Sequence, residues 1–93
     1  MTYLFTHEHP DSQGVFHADT FNTDSASDMG KLWRLFSLCS ERPDSYQRPK
    51  LWRVTSDCVW PLVFTIWGNG EQMTVDVRDR LGNFCKTIRK EGR

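Results

Sequence analysis

The chain has no charge of one sign in excess: twelve Lys and Arg stand against twelve Asp and Glu, with three His besides. No global field therefore steers it to a nucleic acid or an anionic membrane. It also lacks a long apolar run. The longest, Val59 to Trp67, is broken by Pro61 and Thr65 and is too short to span a bilayer as a helix. Cysteine is sparse: Cys39, Cys58 and Cys85 are odd in number and widely spaced, which fits neither a disulfide framework nor a paired-cysteine metal knuckle. Buried free thiols in a reducing compartment are the simplest account. No basic segment followed by an apolar run opens the chain, so no signal peptide is expected and a cytoplasmic location is. No G-x-S-x-G, phosphate-binding loop or dinucleotide fingerprint is present, so no catalytic residue is assigned and no cofactor is expected.

What is present is aromatic and turn-rich. Ninety-three residues hold four Trp, six Phe and two Tyr, enough for one α+β domain over residues 1–93 with a modest core. The plainest local signal is Leu62 to Val77, LVFTIWGNGEQMTVDV. Asn69-Gly70 suits a two-residue type I′ turn, whose central residues both need positive φ. A turn centred there pairs Trp67 with Gln72, Ile66 with Met73, Phe64 with Val75 and Leu62 with Val77. Alternation with period two then sends Leu62, Phe64, Ile66, Met73, Val75 and Val77 to one face. Val63, Thr65, Trp67, Thr74 and Asp76 go to the other.

Around this hairpin the reading is coarser. Thr2–Thr6 and Val15–Phe21 are expected strands, with His7–Gly14 a loop between them. Asn22–Asp28 offers helix caps at Thr23, Asp24, Ser25 and Ser27. Met29, Leu32, Trp33, Phe36 and Cys39 recur at helical spacing and form one stripe. Glu41–Lys50 reads as a surface loop, Leu51–Thr55 as a strand and Asp79–Gly82 as a turn. Asn83–Arg89 is the last strand, with Val77 opposite Phe84 on the apolar face, Lys86 opposite Val75, and Cys85, Thr87 and Arg89 on the other side. The expected architecture is a single helix on one face of a four- or five-stranded antiparallel sheet that ends in a β-meander.

Chemistry is harder to find. The segment THEHPDSQG, residues 6–14, resembles the T-H-x-H-x-D-H metal-binding loop of the metallo-β-lactamase fold family. His7, His9 and Asp11 match, Ser12 stands where the last His would be, and no activity is carried over from a likeness of nine residues. His7 and His9 point the same way on an extended chain, and His17 or Asp11 could add a third ligand. The plainer account is a solvated loop that happens to hold histidines, and no metal is assigned.

Two binding readings remain. Residues 46–93 carry a net charge of +4 and residues 1–45 a net of −4. Arg53, Arg78, Arg80, Lys86, Arg89, Lys90 and Arg93, with Trp52 and Trp67 for stacking, would suit a nucleic-acid-binding accessory protein. Acidic residues interleave with them, which is unlike the clean basic patch of such proteins. The leading reading is a small non-catalytic module that docks on a protein partner. Such modules include inhibitors, immunity factors and accessory proteins, phage- and plasmid-encoded ones among them. Trp, Tyr and Arg anchor interfaces, and eight of the twelve basic residues are Arg. The candidate contacts are Trp67, Arg89, Arg78, Tyr46 and Arg48. An unpaired edge strand offers another mode, for a homodimer or a partner strand.

Overall fold

The computed structural model describes residues 1–10 and 16–90. Its elements are β1 (Thr2–Glu8), β2 (Phe16–Asn22), α1 (Ala26–Glu41), β3 (Gln47–Val54), β4 (Val59–Trp67), β5 (Thr74–Asp79) and β6 (Phe84–Arg89). All six strands form one antiparallel sheet in the order β2-β1-β3-β4-β5-β6. The helix packs on one face, so the α+β expectation holds, with six strands in place of four or five. Strands β3 to β6 are the expected meander, and β1 and β2 extend the sheet from the other edge of β3. The helix contacts both edge strands, β2 and β6, as well as β3 and β5.

The helix starts where its cap is. Ser25 is extended, and its Oγ accepts a hydrogen bond from the Asp28 amide at 3.1 Å. The Asp28 carboxylate accepts from the Asn22 amide at 2.8 Å and also places negative charge in the first turn, where the helix dipole favours it. The expected stripe of Met29, Leu32, Trp33, Phe36 and Cys39 is buried, and Ser37 is buried with it. It meets Tyr3, Phe5, Phe21, Leu51, Met73, Val75, Val77 and Ile88 from the sheet. Phe36 lies edge-on to both Phe5 and Phe64, with ring centres 4.8 Å away in each case. Trp33 Nε1 donates to the Met73 carbonyl at 2.9 Å, which ties the helix to the start of β5. Burial raises the Tyr3 phenol to about 12 and the Cys39 thiol to about 11, so both stay neutral at physiological pH.

The central hairpin keeps its expected faces but not its expected partners. Trp67 pairs with Thr74, Ile66 with Val75, Phe64 with Val77 and Leu62 with Asp79. Each partner lies two residues beyond the one a two-residue turn would give. Asn69 is extended at φ −150°, while Gly68 and Gly70 take positive φ, and Gly70–Gln72 form a 3-10 turn. A Cβ on Gly68 would stand 3.1 Å from the Gln72 carbonyl oxygen, so the chain passes closest at a glycine. A slip of two residues preserves the side-chain alternation, so the core pattern survives.

The last strand departs further. A bulge between Val77 and Arg78 pairs Arg78 with Phe84 and Val77 with Lys86. Phe84, expected opposite Val77 in the core, is turned out and exposed, while Cys85 packs against the core instead. The bulge follows a turn fixed by Asp79, whose Oδ1 accepts from the amides of Leu81 and Asn83 at 2.9 Å each. At the other end, β1 runs through His7 to Glu8, and β3 begins at Gln47, inside the expected loop. His7 is therefore a buried strand residue and not part of a solvated loop. Asp11, from the possible ligand set, lies outside the described residues.

Candidate protein-binding face

Strand alternation and register place three cross-strand rows on the outer face of β4, β5 and β6, away from the helix. They are Trp67–Thr74–Arg89, Thr65–Asp76–Thr87 and Val63–Arg78–Phe84. Trp67 is 60% exposed, Phe84 58% and Val63 55%. The apolar surface continues across the sheet through Pro61, Trp52 and Leu4, which are cross-strand neighbours and half-buried. No described element covers this face. The N-terminal strands, which could have formed a second layer over Trp67, lengthen the sheet instead.

Arg78 is engaged by its neighbours on this surface. Its Nε donates to Asp76 Oδ2 at 3.1 Å and its Nη1 to the Gly82 carbonyl at 3.1 Å. Its guanidinium lies over the Phe84 ring, 5.7 Å from the centroid. Other basic groups of the C-terminal half are also engaged. Arg53 lies over Trp60 at 5.7 Å, and Lys90 Nζ pairs with Glu71 Oε1 at 2.9 Å. The hydrogen bond and charge of Lys90 hold the Glu71 carboxyl below its ordinary value. The basic half is thus mixed in charge at close range, not a uniform cationic stripe.

Three of the five candidate contacts, Trp67, Arg78 and Arg89, share the outer face. Tyr46 and Arg48 stand elsewhere. Tyr46 is half-buried, with its ring 4.6 Å from that of His9 and 5.4 Å from that of His7. Arg48 lies at the start of β3, at φ 50° where the β1–β3 ladder shifts register, and its Nη1 bonds Glu8 Oε1 at 2.9 Å. Phe84 is the residue missed by the sequence reading. Its exposure depends on the β6 bulge, for which the only local signal is the Asp79–Gly82 turn.

The three cysteines are free; Cys39 is buried, and Cys58 and Cys85 are partly so. Among the described residues no helix is long and apolar enough to cross a membrane. No protein-family model, curated protein or solved structure matches the chain.

Proposed function

We propose that this chain is a small non-catalytic module that docks on a protein partner through the outer face of β4–β6 and covers a functional site there. Inhibitors, immunity factors and accessory proteins work in this way. The supporting observation is the joint exposure of Trp67, Val63 and Phe84 beside Arg78 and Arg89 on one uncovered sheet face. Large apolar side chains grouped on a surface mark interaction sites, and Trp and Arg are the residues that most often anchor them. These side chains project from paired strands, so the backbone that carries them is already ordered before docking. The complementary surface would offer an apolar pocket for Trp67 and carboxylates for the two arginines. A cytoplasmic setting suits the free thiols.

Affinity capture from the source organism tests this, run with the wild-type chain and with Trp67→Ala, each before and after nuclease treatment. A protein retained by the wild type, resistant to nuclease and lost with Trp67→Ala is the expected result. Capture that disappears with nuclease would instead support the nucleic-acid reading. Equal capture by both chains would show that the face is misassigned.

A further inference from the structure

The chain has three histidines, and the fold brings all three together at a place the docking face does not use. His7 and His9 are two residues apart along β1 and its end. His17 sits on β2 directly opposite His7 in the β1–β2 ladder. The ring centres of His7 and His17 are 5.2 Å apart, those of His7 and His9 4.9 Å, and those of His9 and His17 4.5 Å. The Tyr46 ring closes one side of the group. His7 is only 4% exposed, and its Nδ1 is buried without a hydrogen-bond partner. A buried polar nitrogen of this kind calls for an explanation.

With the rings as they stand, no group of three His, Cys, Asp or Glu among the described residues is set to hold a metal ion, and His7 and His17 lie face to face at 11°. The spacing, however, is already suitable. Three imidazoles bound tetrahedrally to one ion at about 2.1 Å per nitrogen carry their ring centres roughly 5 Å apart, close to the spacings found here. A coordinating arrangement would require the rings to turn about their side-chain torsions.

We propose that His7, His9 and His17 form a binding site for a divalent transition-metal ion of the zinc class, closed by turning the three rings onto the ion. Three imidazoles with one open position form a known zinc ligand set, and imidazole suits zinc, copper and nickel better than it suits magnesium or calcium. A loop of the T-H-x-H-x-D-H kind would take its ligands from one segment. Here the third ligand comes from a neighbouring strand and is supplied by the sheet register. Asp19, two residues along β2 from His17, adds negative charge near His7.

The test uses tag-free, chelator-stripped full-length protein titrated calorimetrically with zinc chloride at pH 7.5, with cobalt absorption as the second readout. One ion per chain at micromolar or tighter affinity is expected, with the visible bands of nitrogen-ligated cobalt. His17→Ala on the exposed edge strand and His9→Ala should each weaken binding at least tenfold while circular dichroism stays unchanged. Binding should also be lost at pH 5, where protons compete for the imidazoles. No heat and no shift in melting temperature up to millimolar zinc would overturn the proposal. So would binding that survives both histidine substitutions, or that is abolished by blocking Cys58 and Cys85 instead. None of these outcomes bears on whether Trp67 contacts a partner.

Discussion

The two faces of the sheet use aromatic side chains in opposite ways. On the inner face Tyr3, Phe5 and Phe21 are buried against the helix, where Phe36 fits edge-on between Phe5 and Phe64. On the outer face Trp67 and Phe84 stand more than half exposed, with Val63 in the row of Phe84. The same alternation of strand residues produces both faces, so packing alone does not explain the outer one. The inner face accounts for stability. The outer face presents apolar side chains on paired strands together with two arginines, the ingredients of an interface. Substitutions should therefore separate by face, and the following tests are placed from the largest expected loss of stability to the smallest.

Phe36→Ala should cost about 3–5 kcal/mol, because a fully buried ring leaves a cavity between two others. Urea unfolding followed by circular dichroism measures this, and a loss under about 1 kcal/mol would dissolve the contrast between the faces. Trp33→Phe removes the donor to the Met73 carbonyl and leaves that acceptor buried, which should cost about 1–3 kcal/mol in the same assay. Gly68→Ala should cost about 1–2 kcal/mol, since Gly68 has φ +73° and a new Cβ meets the Gln72 carbonyl oxygen. Gly70→Ala, also at positive φ but with open space around it, should cost less.

An acid titration examines the turn behind the bulge that exposes Phe84. Hydrogen bonds from the Asn83 backbone and side chain, then from Leu81 and Gly82, hold the Asp79 carboxyl below its ordinary value of about 3.8. A carboxyl depressed in the folded state contributes stability that is complete above that ordinary value and is lost as pH falls through the depressed one. Stability measured against pH should therefore fall in that acid window, and Asp79→Asn should flatten the fall. An unchanged acid profile would show that the turn is not held by this charge.

The helix and both sheet faces were legible in the sequence because they rest on periodicity. The stripe from Met29 to Cys39 and the alternation from Leu62 to Val77 each repeat often enough to outweigh a local error. Register was not legible. Asn69-Gly70 suggested a tight turn, but Gly68 and Gly70 take the positive φ values, and the loop is longer than two residues. The faces survived because the displacement was two residues and not one. The outward turn of Phe84 depends on a bulge, and the pairing of β1 with β3 depends on contacts about forty to fifty residues apart in the chain, neither of which alternation encodes. For the same reason Tyr46 looked like a free loop contact, although the fold packs it against the histidines.

The most direct test of the account pairs two readings on Trp67→Ala: the free energy of unfolding and the affinity for the protein recovered by capture. Because the side chain is 60% exposed, stability should change by no more than about 0.5 kcal/mol. Loss of an anchoring tryptophan should weaken binding by about 2 kcal/mol or more, roughly thirtyfold. A variant that loses stability like a core substitution yet binds its partner unchanged would contradict the division between the two faces.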